Sequence, residues 1–325
     1  MGNPVKPAFN GLGTGGRVKA SGLDKIKTFL IRYKFLNLLL LPGLLYFLIF
    51  HYLPLYGLII AFKDYNGMGG FQGILNSPWV GFTHFQNFFG SYYFWRLLNN
   101  TLVISLYRLI WAFPAPIILA LLINEITSSK IKRAIQTITY MPHFLSWVVI
   151  SGLMVMMLNT SGPVNAIITG FGGQPISFLS DSRFFRSVLI GSSIWQGIGW
   201  GSIVYLAAIA GVPAELYESA IIDGANRWQR ALHITLPSIS FVIVILLILR
   251  VGQIINENFE QIFNLYSPAV YEVADVFDTF VYRKGIMNSD FAYSTAVGLF
   301  KSVTSLVLVL LTNKIAKMLG REGLW

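Results

Sequence analysis

The chain has 325 residues, about twice the length of a ~150-residue domain, yet only 12% are charged where a soluble protein carries about 25%. With 54% hydrophobic residues and a mean hydropathy of +0.62, it has too little polar surface to enclose a water-soluble core of that size, which excludes a secreted disulfide scaffold, a disordered regulator and an ordinary soluble enzyme. Cysteine is absent, which removes disulfides, thiol catalysis and cysteine-held metals, and the net charge of +10 must be located before its sign is read as affinity for nucleic acid.

The first 35 residues read as a cytoplasmic segment. A Gly-rich, Lys-bearing stretch to Gly22 leads into DKIKTFLIRYK, where Ile26, Phe29, Leu30 and Tyr33 recur at helical spacing among Lys25, Lys27, Arg32 and Lys34. That pattern predicts a basic amphipathic anchor helix on the lipid surface. No small-residue cleavage site precedes a short apolar core, so a removable signal peptide is not expected.

Apolar windows of about 20 residues then place spans at 36–60, 99–124, 140–158, 188–210, 239–255 and 291–311. The fold class is an all-α membrane protein with six transmembrane helices within 36–312 and a cytoplasmic tail at 313–325. Pro42, His51 and Pro54 interrupt the first window, and Pro142 and His143 weaken the start of the third. Fifteen Lys and Arg fall on the N-terminal segment, the connections after the second and fourth spans and the tail, against six on the other three loops. By the positive-inside rule both termini are cytoplasmic, and the net charge is explained without nucleic acid.

Between the fourth and fifth spans, residues 211–238 contain GVPAELYESAIIDGANRWQRALHITLPS. Pro213 suits the first turn of a helix and Gly224 a sharp stop in left-handed backbone, so a helix, a turn and a second helix from about 226 to 236, ending at Pro237, are expected. Small side chains at Ser219 and Ala220 permit close docking, and Glu218 and Asp223 can meet basic groups of a partner.

This loop resembles the signature of the permease subunits of type I ABC importers: E-A-A, three residues, Gly, nine residues, Ile, one residue, Leu-Pro. The match stands as Glu218, Ser219, Ala220, Gly224, Ile234, Leu236 and Pro237, with Ser219 replacing an alanine of similar size. The resemblance implies that Glu218, Ser219, Ala220, Asp223, Gly224, Ala225 and Arg227 belong to a coupling helix seated in a groove of a separate ATPase subunit. It also implies a second related permease, two ATPases and an extracytoplasmic solute-binding protein in a bacterial cytoplasmic membrane. HYLPLYGLIIAFKDYN and TITYMPHFLSWVVISGLM look like the carbohydrate-uptake branch, especially permeases for complex or uronic-acid, alginate-like oligosaccharides. No G-x-x-x-x-G-K-[ST] occurs, so ATP and Mg²⁺ are expected on the partner. No catalytic residues and no metal-ligand spacing are found, so the chain is expected to be a non-catalytic subunit that binds no cofactor.

Arg108, Arg250 and Lys301 fall near the midplane of the predicted spans, which hold no Asp or Glu between their ends. A cation there costs about 2.5 kcal/mol or more unless it meets water, a partner or substrate. Together with His51 they suit a path for an anionic solute, although pairing within the companion permease explains them as well. Trp195 and Gln196 offer a ring and an amide to a sugar, while Gly197 and Gly201 beside them are equally spaced for helix packing. Gln253 also falls on the expected path. The acids Glu257, Glu260, Asp275 and Asp278 read as the solvated face of an outer loop. An ion-coupled secondary transporter of an anionic solute is the alternative, but it calls for membrane carboxylates or an inverted repeat that the sequence does not display. A membrane sensor that binds lipid or a signalling partner through its basic N-terminus is a further one.

Overall fold

The computed structural model describes residues 32–255 and 258–318. The predicted anchor helix lies almost wholly outside them, as do Asn256, Glu257 and the tail beyond Met318. The chain divides into two compact units, Met1–Gly57 and Leu58–Trp325.

In the first unit, α1 (Lys34–Phe47) has no buried residue and carries Pro42 in its interior. A uniformly apolar, unburied helix suits lipid, where a proline's lost bond is made good by local adjustment. The run continues through a wider turn at Leu48–Tyr52, and Lys34–Phe62 as a whole is long and apolar enough to cross a bilayer.

In the second unit, α2 (Tyr92–Asn124) begins at Tyr92 rather than at the expected 99 and runs for 33 residues. At 1.5 Å per residue it is about 50 Å long, more than the ~30 Å hydrocarbon layer, so it is longer than a bilayer crossing needs. The helix widens over Arg108–Ala112, just before Pro114, whose missing N–H cannot close a regular turn.

α3 (Ser129–Tyr140) corrects the expected start of the third span. Tyr140 closes α3, a tight turn at Met141–Phe144 follows, and α4 (Trp147–Leu158) starts after Ser146, whose Oγ accepts from Val149 N at 3.4 Å. A hydropathy window registers apolar residues on both sides of that cap and cannot see the break. A short helix at Pro163–Gly170 extends this span.

α5 (Ser182–Ala210) leads into α6 (Ala214–Ile222), α7 (Arg227–Ser238) and α8 (Ser240–Gly252), the last two meeting at a 64° bend. The chain therefore stays helical through Pro237 and breaks one residue after Ser238, later than expected. The short helices α9 (Phe259–Leu265) and α10 (Phe277–Tyr282) precede α11 (Phe291–Met318). Among the described residues five helical runs are long and apolar enough to span, and the bent pair α7 and α8, taken as one span, makes a sixth.

α2 is the hub. Ile104 packs with Phe185 and Leu189 of α5 and Ile262 of α9; Leu97 packs with Phe277 and Phe280 of α10 and Val297 of α11; Ile117 and Ala120 pack with Tyr205, Ile209 and Ile239. α5 also crosses the end of α3 backbone against backbone. A Cβ on Gly199 would fall within 2.1 Å of the Thr139 carbonyl oxygen, so this crossing depends on the missing side chain.

The expected solvated acidic face holds at Glu260, which is exposed, and is overturned at Asp275. Asp275 is fully buried, with Arg96 at 3.0 Å and Arg283 at 2.5 Å. Thr279 Oγ1 donates to its carboxylate at 2.8 Å and Asn100 Nδ2 to its carbonyl at 3.1 Å. Burial alone would lower the Arg283 pKa, but the hydrogen bonds and charge of Asp275 hold it above the ordinary guanidinium value. The carboxylate knots the start of α2 to the segment around α10.

Candidate functional site

The elbow at α6 and α7 is built from local rules. Gly224 takes φ 77° and ends α6. Ala225 N donates to Ala220 O at 2.8 Å and Gly224 N to Ile221 O at 3.0 Å, the paired bonds of a Schellman stop. Asn226 and Gln229 then form a reciprocal capping box that starts α7, with bonds of 2.9 and 2.7 Å. Tyr217 Oη and Thr235 Oγ1, 3.0 Å apart, lock the two helices of the elbow together. Its turn is therefore stiff on both sides.

The elbow is also tethered. Glu125, just past the end of α2, lies 4.0 Å from Arg227 and 3.9 Å from Arg230. At this range, partly in solvent, each contact is worth little alone, but together they register the elbow against the span that runs through every core cluster. Arg227 thus faces Glu125. Glu218, Ser219, Asp223 and Gly224 are exposed, and Ala220 and Ala225 half-buried.

What the elbow exposes is apolar. Ile222 is 86% and Trp228 71% exposed, with Leu216 and Ile221 also open. Charge pattern directed the sequence reading to Glu218 and Asp223 and missed these four side chains. Their signal was available as bulky apolar residues on a loop too polar to enter a membrane.

The path candidates fall in different places. Arg250 and Gln253 line a cavity of about 390 Å³ between α2, α5 and α8, together with Pro116, Ser193, Gly197 and Tyr205. Gly197 opens onto it, with no heavy atom within 4 Å of where its Cβ would stand, whereas Gly201 abuts Pro116. Among the described residues Arg250 has no ion-pair partner. Arg108 is buried and donates to Gln261 Oε1 at 2.5 Å. Lys301 meets Asp278 at 2.5 Å, which corrects the expectation that the chain holds no acid to neutralise it. His51, in the first unit, is exposed and lies among the rings of Tyr46 and Phe47.

Trp195 and Gln196 do not line that cavity. Gln196 shares a face of α5 with Trp200, one helical turn on. Trp200 stacks flat on His143, with centroids 4.5 Å apart and planes 3° apart, and Phe144 stands edge-on beside it. This platform was not anticipated, because His143 and Trp200 are far apart in sequence.

A bundle of apolar helices carrying a stiff elbow with exposed apolar side chains is the architecture of a transport permease. The family of binding-protein-dependent transport system inner membrane components matches residues 112–322. The chain is 50% identical to protein LplB of Bacillus subtilis over 295 residues, covering 90% of this chain and 92% of the relative. It is 46% identical to the polygalacturonan/rhamnogalacturonan transport system permease YteP of the same organism, covering 91% and 92%. A crystal structure of a bacterial alginate ABC transporter, in complex with an alginate pentasaccharide-bound periplasmic protein, contains a chain that matches with a TM-score of 0.84 and 42% identity, covering 92% of this chain and all of that one. The chain belongs to this family and is the multi-span permease of an ABC importer, which sets aside the ion-coupled and sensory alternatives.

Proposed function

We propose that this permease carries oligosaccharides bearing carboxylates, as one of two dissimilar permeases driven by a pair of ATPases and fed by an extracytoplasmic solute-binding protein. The single observation that supports it most is the elbow, whose exposed Leu216, Ile221, Ile222 and Trp228 are held on a stiff turn and registered against α2 through Glu125. ATP and Mg²⁺ bind the ATPases; their closure pushes the elbow, and the push reaches the cavity through α2 and α8, which both line it. The chain performs no catalysis. Both termini and the elbow lie in the cytoplasm, with 36–312 forming the permease domain between the N-terminal segment and the tail.

The acidic cargo is supported by Arg250. Arg108 donates to Gln261 and Lys301 pairs with Asp278, whereas Arg250 faces a cavity without a counter-charge, beside the amide of Gln253. A cation held at membrane depth is stabilised by an anionic guest. YteP's polygalacturonan and the alginate of the solved importer are both polyuronates, which agrees with that reading.

The test is uptake of trigalacturonate and trimannuronate by the complete importer in proteoliposomes, with and without ATP. ATP-dependent uptake of at least one, lost with Glu218→Lys, is expected. Uptake by the permease without any ATPase, or transport of neutral sugars alone, overturns the proposal.

A further inference from the structure

A second cavity, of about 380 Å³, lies on the elbow side of the bundle between the end of α2, α3 and the end of α5. Asn124, Lys132, Gln136 and Tyr140 reach it from the first two elements, and Ile203 and Ala207 wall it from α5. All four polar side chains are half-buried, and among the described residues none of them makes a side-chain hydrogen bond or ion pair. Four polar side chains that line one hollow with no partner among the described residues are open to a ligand.

The donor set is specific in kind. Lys132 offers an ammonium, Asn124 and Gln136 two amides that both donate and accept, and Tyr140 a phenol. Together they suit one carboxylate and several hydroxyls, the groups of a single uronate ring. Glu125, the residue after Asn124, faces Arg227 and Arg230 and makes no ion pair with Lys132. The wall is firm, because Gly199 seats α5 against the Thr139 and Tyr140 backbone. Gln196, Trp200, Ile203 and Ala207 follow one another at helical spacing on α5, so the face that carries the Trp200 and His143 platform runs into this hollow.

We propose that this hollow is an exit subsite that holds one acidic sugar residue at the cytoplasmic end of the path and lets cargo accumulated inside slow further import. The inference rests on the reading of the cargo as an acidic oligosaccharide.

The test uses the complete importer in inside-out proteoliposomes, with solute-binding protein and whichever of trigalacturonate or trimannuronate is transported sealed in the lumen, and ATP outside. Adding the same sugar outside is expected to inhibit ATP-driven export from the lumen. The carboxyl-reduced sugar should not inhibit. Lys132→Gln should raise the half-inhibiting concentration about ten-fold or more, and Lys132→Arg should restore it, with transport at zero outside sugar retained in both. Transport by the wild type without inhibition, or inhibition unchanged in Lys132→Gln, overturns the exit subsite alone. Failure of the wild type to transport either acidic sugar overturns the acidic-cargo reading and the subsite with it.

Discussion

Arg108 Nη2 donates to Gln261 Oε1, while Gln261 Nε2 donates to Leu189 O at 2.7 Å and Ser192 Oγ at 2.9 Å. One fully buried amide thus joins α2, α5 and α9, and it gives one acceptor to a guanidinium that is costly at membrane depth. Gln261→Leu should leave that cation short of an acceptor and destabilise the chain by about 1.5–3 kcal/mol, the usual range for a lost hydrogen bond to charge. Thermal unfolding in mild detergent measures it, and Arg108→Gln should lower stability without changing which sugars are carried.

Asp275 stands between Arg96 and Arg283 with its carboxylate wholly out of solvent. Asp275→Asn keeps the shape and removes the charge, leaving two cations against a neutral amide, so a loss of about 3–5 kcal/mol is expected. The drop should appear as a lower unfolding temperature and poorer recovery of intact permease, while the elbow's grip on the ATPase in surviving complexes is unchanged.

Gly199 has no room for a methyl group. Gly199→Ala should push α5 off the end of α3 and cost about 1–3 kcal/mol as overpacking, whereas Gly197→Ala, which faces open space, should leave stability unchanged. Equal unfolding temperatures for the two variants would contradict the crossing described here.

At Gly224 the positive φ makes any L side chain unfavourable, and Gly224→Ala should cost about 1 kcal/mol locally. The loss should fall on coupling rather than on folding. ATPase recovered per permease should decrease in pull-down from mild detergent, and decrease further with Gly224→Pro, while the permease itself still purifies.

Much of this was readable in the sequence, for physical reasons that differ by feature. The spans follow from the length of apolar runs, and the elbow's stop from a glycine where the backbone must turn left-handed; both are local. What escaped was long-range. Arg96 and Asp275 are 179 positions apart, and Lys301 meets Asp278 only because α10 folds back against α11. A loop rich in acids looks solvated until the fold brings arginines to it. The break at Ser146 escaped for the opposite reason, because a single hydrogen-bonding cap is invisible to an average over twenty residues. Depth alone picked out Arg250 and Gln253 together with Arg108, and could not separate the two that line a cavity from the one buried against Gln261.

Because the chain has no cysteine, Ile222→Cys introduces one reporter at the most exposed large apolar side chain of the elbow. Labelling with a membrane-impermeant maleimide should occur in inside-out vesicles, fail in right-side-out vesicles, and be blocked once the ATPase subunits are bound. Labelling from the outer face, or labelling indifferent to the ATPase, would contradict a cytoplasmic elbow gripped by an external motor.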